Sequence, residues 1–68
     1  MREPITQEEA NQIKEVITEN GGRCGVSTIC RKVKTVQNKS YSSWNNFGLR
    51  IYSYYRYGKK CFSACIAE

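Results

Sequence analysis

The sequence predicts a small α+β domain made of three helices, one short strand and a C-terminal β-hairpin. Three observations predict this fold class: a helix-capping motif before an amphipathic segment, polar breaks through the middle of the chain, and two alternating segments around a glycine near its end. The 68 residues suffice for a single domain, residues 1–68, with a limited core. Hydrophobic residues make up 40% of the chain, which excludes disorder on the ground of composition alone.

The first helix is predicted from the capping box TQEE, in which Thr6 caps the helix and Glu9 reaches back to the Thr6 amide. Ile5 before the cap and Ala10 after it form a hydrophobic staple. The apolar face of the helix recurs at helical spacing and consists of Ala10, Ile13, Val16 and Ile17. The sequence NGG at residues 20–22 ends the helix, because glycine readily adopts the left-handed conformation of a helix C-terminus.

A short strand and a second helix are predicted next. Residues 23–25 form an extended edge strand, and Ser27 caps a helix from Thr28 to about Thr35. The inward side chains of this helix are Ile29, Cys30 and Val33.

A turn over residues 36–39 leads into the third predicted helix. Ser40 caps this helix, which runs from Tyr41 to about Phe47 and directs Trp44 and Phe47 inward. Gly48 ends it.

The segment 49–67 predicts a β-hairpin that turns at Gly58-Lys59, since a two-residue loop with glycine first fits a type II′ turn. This turn pairs Tyr57 with Lys60, Tyr55 with Phe62, Ser53 with Ala64, and Ile51 with Ile66. A competing interpretation makes residues 40–57 one long helix. Gly48 in its interior would cost about 1 kcal/mol relative to alanine, and tyrosines favour strands, so the hairpin is preferred.

Charge is segregated along the chain. Residues 1–20 hold two basic and five acidic residues, whereas residues 21–68 hold nine basic residues and one acidic residue. This asymmetry predicts a polyanion or an acidic protein surface as the partner, with a merely solubilising surface as the alternative. No apolar run approaches the ~18 residues of a membrane span, and the first ten residues lack a signal-peptide core. We therefore expect an intracellular, cytoplasmic protein without a membrane partner.

The order helix, strand, helix, helix, strand, strand resembles the winged helix-turn-helix superfamily. The central motif of that superfamily matches an aliphatic, a small and an aliphatic residue at Ile29, Cys30 and Val33. Its recognition helix matches a cap followed by apolar residues at Ser40, Trp44 and Phe47. The turn is longer than in the shortest form of the motif and lacks its frequent glycine. The resemblance implies a double-stranded DNA-binding transcriptional regulator, with residues 40–47 as recognition helix and residues 56–60 as a basic wing.

The resemblance also implies which side chains bind DNA. The outward positions of the third helix would be Ser42, Ser43, Asn45 and Asn46, since asparagine pairs with adenine and serine contacts bases or phosphates. The cations expected at phosphates are Lys39, Arg50, Arg56, Lys59 and Lys60. The structural alternatives are turn formation by serine and asparagine, and protection of a sheet edge by lysine.

Tyr52 and Tyr54 alternate with Arg50 and Arg56 along one strand face. Such a stripe suits stacking of unpaired bases or a protein-binding hot spot, with packing under a neighbouring element as the alternative. The second functional hypothesis is therefore a small phage-type or viral-type interaction module that inhibits or redirects an acidic or nucleic-acid-binding host protein. We also expect a weak homodimer, strengthened by DNA, that uses a sheet edge or the first helix.

Chemistry at the four cysteines or at an active site is not expected. The spacings C-x5-C and C-x3-C, which separate Cys24 from Cys30 and Cys61 from Cys65, differ from the paired C-x2-C of zinc sites. A disulfide from Cys24 to Cys61 or Cys65 stays open. The sequence has no histidine and one acidic residue after Asn20, so we expect no enzyme, no cofactor and no small-molecule substrate.

Overall fold

A computed structural model describes residues 2–67 and confirms the coarse fold class, a small α+β domain. The predicted domain range extends past this described part by one residue at each end. The elements are α1 (Gln7–Glu19), β1 (Arg23–Gly25), α2 (Val26–Lys32), the 3₁₀ helices η1 (Lys34–Val36) and η2 (Tyr41–Phe47), β2 (Leu49–Arg56) and β3 (Lys59–Ile66). The strands form one antiparallel sheet in the order β1-β3-β2, so β1 lies at an edge, as predicted.

One hydrophobic core lies between the helices and one face of the sheet. Its largest fully buried side chains are Ile13, Ile17, Ile29, Val36, Trp44 and Leu49. Cys24 on β1 and Ala64 on β3 are register partners and join the same cluster. Because helices and strands share this cluster, the order of each short element depends on packing against the others rather than on its own helical propensity.

The predicted ends of α1 are confirmed. The Glu9 amide donates to the Thr6 hydroxyl at 3.2 Å, and the Thr6 amide donates to the Glu9 carboxylate at 2.9 Å, which completes the capping box. At the other end, the Gly22 amide donates to the Ile17 carbonyl at 2.9 Å. This bond, with φ of 91° at Gly21 and 105° at Gly22, closes a Schellman motif.

The second helix differs from its predicted bounds. It begins at Val26 with Gly25 as cap, so the predicted cap Ser27 lies inside the first turn and is exposed. Val26 is 6% exposed, and burying it requires the helix to start directly after β1. The helix ends at Lys32 because Val33, with φ of −116° and ψ of 79°, leaves the helical region.

The third predicted helix has the expected bounds but is a 3₁₀ helix. Tyr41, Trp44 and Phe47 recur every three residues, and residues i and i+3 line up along a 3₁₀ helix with its three residues per turn. Trp44 is fully buried at the centre of this row, and Tyr41 packs edge-on against it at 5.8 Å between ring centroids. Gly48, with φ of 76°, ends the element, which excludes the single long helix over residues 40–57.

The hairpin is present, but its predicted turn is wrong. The chain turns at Tyr57-Gly58 rather than at Gly58-Lys59. Tyr57 and Gly58 have φ of 52° and 75°, and two successive positive values are typical of a type I′ turn. A tyrosine at the first of these positions is unusual. The sequence pattern therefore placed Gly58 at the first position of the turn instead.

The predicted register is therefore wrong by two residues. Leu49 lies opposite Ile66, where the prediction placed Ile51. In the observed register the Ala67 amide donates to the Gly48 carbonyl at 2.7 Å, which extends the pairing past the strand ends. A shift of two residues leaves every side chain on the same face of the sheet, so the predicted division into two faces is retained.

Across residues 2–67, α1 is the longest helix at 13 residues, and no helix combines the length and apolar character needed to cross a membrane.

Candidate functional site

A concave surface lies between α2, η2 and the hairpin, and we call it the basic groove. It encloses about 960 Å³. Its lining consists of Val26, Ser27, Cys30, Arg31, Gln37, Tyr41, Ser42, Asn45, Ile51, Tyr54, Arg56, Lys60, Cys61 and Phe62. The lining includes three cations and no carboxylate, so the groove presents positive charge beside uncharged polar groups.

The 3₁₀ geometry of η2 divides the four predicted recognition residues between two rows. Ser42 and Asn45, three residues apart, are exposed and line the basic groove. Ser43 and Asn46 form a second row, in which Asn46 is exposed but does not line the groove. The structure therefore brings only half of the predicted set together at one surface.

The expectation that Ser43 points outward is wrong. Its side chain is 5% exposed, accepts a hydrogen bond from the Ile5 amide at 3.0 Å and donates one to the Ser40 carbonyl at 2.6 Å. Ser43 thus fastens the segment before α1 to the start of η2. A hydroxyl used in this way satisfies buried backbone groups and is not available to a ligand.

Lys39 also differs from its predicted place at the phosphate surface. Its ammonium lies 3.5 Å from the Glu3 carboxylate and 3.9 Å from that of Glu9, and the side chain is 22% exposed. The backbone supports this arrangement, since Glu3 forms a parallel bridge with Lys39 and its carbonyl accepts from the Ser40 amide at 2.7 Å. Lys39 therefore joins the N-terminal segment to η2.

The same cluster lowers the pKa of the Glu9 carboxyl from its ordinary value of 4.5. The Thr35 hydroxyl beside the carboxylate is the largest cause, desolvation by burial opposes it, and the Thr6 amide and the Lys39 ammonium add to the lowering. Glu9 is thus held in its charged form as part of the folded structure.

The basic groove opens onto the tip of the hairpin. Arg56, Lys59 and Lys60 are exposed there, and none forms an ion pair with any residue from 2 to 67. Arg56 and Lys60 also line the groove. The structure therefore brings the predicted wing residues Arg56 and Lys60 and the predicted recognition residues Ser42 and Asn45 to one surface.

The other sheet face carries the predicted stripe of Arg50, Tyr52 and Tyr54. The two tyrosine rings lie 6.3 Å apart between centroids, and a second hollow of about 520 Å³ adjoins them. Arg50 on this face is exposed, whereas Tyr52 is half-buried. Tyr54 borders both the hollow and the basic groove, so the stripe and the groove meet at this residue.

All four cysteines are free thiols. Cys24 pairs in register with Ala64, so it lies on the opposite sheet face from Cys61 and Cys65. A bond from Cys24 to either of them would have to cross the sheet, which rules out the disulfide that the sequence left open. Residues 2–67 contain no group of histidine, cysteine or carboxylate side chains placed to hold a metal ion.

Sequence reasoning missed two aromatic residues of the groove lining, Tyr41 and Phe62. Tyr41 lies at its rim, where burial and the neighbouring Cys30 thiol raise the pKa of the phenol while Arg2 opposes the rise. Phe62 is 51% exposed on β3. The three-residue spacing of Tyr41 from Trp44 was a usable signal, whereas Phe62 required the correct hairpin register.

The fold and this surface define the class of the molecule only coarsely, as a small α+β domain with one basic groove. Comparison of the chain with protein-family models, curated proteins and solved structures finds no match.

Proposed function

We propose that this protein is a winged helix-turn-helix protein that binds double-stranded DNA through the basic groove and acts in transcriptional regulation. The observation that carries the proposal is the meeting of Ser42 and Asn45 with Arg56 and Lys60 around one surface that lacks carboxylates. Phosphate contacts supply most of the affinity of such surfaces, and amide side chains read base edges.

The arrangement of elements supports the proposal. A helix, an edge strand, two further helical elements and a hairpin follow one another, with the edge strand next to the second strand of the hairpin. In this arrangement η2 takes the place of a recognition helix and the hairpin tip that of a wing. Glu3 and Glu9 lie beside Lys39 on another part of the molecule, and neither lines the groove.

The contribution of phosphate contacts to binding is tested by measuring the affinity for a DNA duplex over about 50–200 mM salt. Contacts by Arg31, Arg56, Lys59 and Lys60 would displace about four counterions, giving a slope of log affinity against log salt of roughly −3 to −4. Arg56→Gln and Lys60→Gln should each reduce the steepness by about 1. Lys14→Gln on α1, which lines a different hollow, is the matched control and should leave the slope unchanged. Binding that does not respond to salt, or no binding at low salt, contradicts the proposal.

The contribution of base contacts to sequence preference is tested separately with Asn45→Ala. If Asn45 contacts an adenine, its loss reduces discrimination at one base pair by about 1–3 kcal/mol. The salt slope should not change, because an amide releases no counterion. Asn46→Ala is the matched control, since Asn46 is exposed on the same element but lies outside the groove. Selection of a preferred duplex from a randomised pool, repeated with both variants, measures the effect.

The sheet face that carries Arg50, Tyr52 and Tyr54 favours a second candidate function, docking on an acidic protein. Exposed Arg50 beside the Tyr52–Tyr54 pair and the adjoining hollow has the composition of a protein hot spot. Tyr52→Ala should abolish capture of such a protein and spare duplex binding, because Tyr52 borders the second hollow but does not line the basic groove. Weaker duplex binding with unchanged protein capture in Asn45→Ala supports the DNA-binding proposal.

A weak homodimer strengthened by DNA stays a prediction. Strand β2 is an edge of the sheet along its eight residues, and edges of this kind accept a second strand. Sedimentation with and without a palindromic duplex tests it. A strict complex of one chain per palindrome contradicts it.

A further inference from the structure

The hairpin tip, residues 55–62, displays aromatic rings away from the core. Tyr57 is 92% exposed, Tyr55 is 74% exposed and Phe62 is 51% exposed. Rings as exposed as the two tyrosines bury little area in the folded chain and so contribute little to its stability. Their presence at one end of the molecule needs a different explanation from packing.

Tyr57 occupies a backbone position that disfavours a large side chain. Its φ of 52° lies in the left-handed region, where the type I′ turn favours asparagine, aspartate or glycine. Because the ring is almost fully exposed, packing within residues 2–67 does not compensate for this conformation. Conformations of this kind are concentrated at functional sites, which makes the ring itself the reason for a tyrosine here.

Cations lie beside the rings of the tip. The Arg56 guanidinium is 5.5 Å from the Tyr57 ring centroid, and the Lys60 ammonium is 5.6 Å from that of Phe62. Among residues 2–67, the strands β2 and β3 carry no carboxylate side chain. Alternating rings and cations match a single nucleic-acid strand, whose bases stack on rings while its phosphates attract cations.

We propose that the hairpin tip stacks the unpaired bases of a single-stranded DNA extension next to a duplex held in the basic groove, with Tyr57 as the main stacking residue. This inference rests on the proposed duplex binding and specifies its substrate. Lys60 and Phe62 belong both to the tip and to the groove lining, so one DNA molecule can contact both surfaces without a break. The preferred ligand is therefore a duplex with a single-stranded end rather than a blunt duplex.

The test compares a blunt duplex with the same duplex carrying a short thymidine overhang, using fluorescence anisotropy at one salt concentration. The overhang should tighten binding by the wild-type protein at least about fivefold, the effect of one stacked base. Tyr57→Asn should lose that gain, so that its affinities for the overhang duplex and the blunt duplex become equal. Tyr57→Trp should keep the gain, because indole stacks on bases as well as phenol does.

The fold of the Tyr57→Asn variant is checked by thermal melting. Asparagine tolerates the left-handed region better than tyrosine, so the variant should melt at the same temperature or higher. A loss of overhang preference in a variant that melts normally is then due to the missing ring.

Several results would overturn the inference. Equal wild-type affinity for blunt and overhang duplexes, or an undiminished preference in Tyr57→Asn, removes it and leaves the proposed duplex binding intact. Tighter binding of a uridine RNA overhang than of the thymidine overhang refutes the assignment to DNA. Self-association without DNA that disappears in Tyr57→Asn assigns the rings to a second copy of the chain. Failure to bind any duplex refutes the proposed function itself.

Discussion

Replacing Ser43 by alanine tests whether η2 is held in place by a buried hydroxyl. The change removes the acceptor of the Ile5 amide at 3.0 Å and the donor to the Ser40 carbonyl at 2.6 Å. The Ser40 carbonyl keeps a weaker bond from the Ser43 amide at 3.3 Å, but Ile5 is 3% exposed, so water does not replace the lost acceptor. Leaving one buried donor unsatisfied costs about 1–3 kcal/mol.

This loss is large for a chain of this size. At roughly 0.05–0.15 kcal/mol per residue, the whole domain has a free energy of unfolding of about 3–10 kcal/mol. The melting temperature of a domain this small falls about 4–8 °C for each kcal/mol lost. Urea denaturation followed by the fluorescence of the single tryptophan, buried Trp44, measures the change directly.

Ser42→Ala is the matched control for this experiment. It makes the same chemical change one position earlier, on a side chain that is exposed and bonds only to the Ser40 hydroxyl at 2.7 Å. Both variants gain the same helical propensity, so the difference between them isolates the buried hydrogen bonds. We expect Ser42→Ala to stay within about 0.5 kcal/mol of the wild type. Equal stabilities of the two variants would refute the assigned role of Ser43.

Three further predictions concern the fold. Because the pKa of Glu9 is lowered in the folded state, the charged carboxylate stabilises the fold above pH 4.5, its ordinary pKa, and this contribution is lost as the pH falls through the folded-state pKa. Glu9→Gln should therefore reduce the dependence of the unfolding free energy on pH below about pH 4.5. An unchanged dependence on pH contradicts this prediction. The indole N–H of Trp44 is buried without a hydrogen-bond partner in residues 2–67. Trp44→Phe therefore removes no hydrogen bond and should cost less than the about 3–5 kcal/mol expected for Trp44→Ala. Circular dichroism melting measures both variants, and equal costs would contradict this prediction. Gly48→Ala should destabilise the domain by about 1–2 kcal/mol because of the backbone φ of 76° at this position. Steric overlap does not contribute, since an added Cβ meets only the Lys14 ammonium at 3.9 Å. Gly25→Ala, at a φ of −63°, is the control, and an unchanged stability of Gly48→Ala would contradict the assigned backbone strain.

Local signals in the sequence predicted the elements whose ends are fixed by their own side chains. The Thr6–Glu9 capping box and the glycines after α1 satisfy backbone groups within a few residues of themselves, so the pattern is sufficient. The start of α2 was misplaced because the deciding factor is the burial of Val26 against other elements, which no local pattern reports. The turn at Tyr57-Gly58 was missed because it contradicts the residue preference of its own turn type.

The candidate site was predictable in its composition but not in its geometry. Charge segregation indicated the basic tip, and the structure brings Arg56 and Lys60 together with Ser42 and Asn45. An α-helix over these residues would direct Ser43 outward, whereas the observed 3₁₀ helix rotates successive residues differently and directs it inward.

The fastening of the N-terminal segment to η2 has a consequence for amide hydrogen exchange. The amide of Ile5 donates to the Ser43 hydroxyl, and the amide of Ser40 donates to the Glu3 carbonyl, so both bonds join residues far apart in the chain. They become exchangeable only when this junction opens, so both should give one common free energy of opening, as a cooperative unit does. A ligand that binds Ser42 and Asn45, on the row of η2 next to that of Ser43, would stabilise the closed state and slow the exchange of both amides.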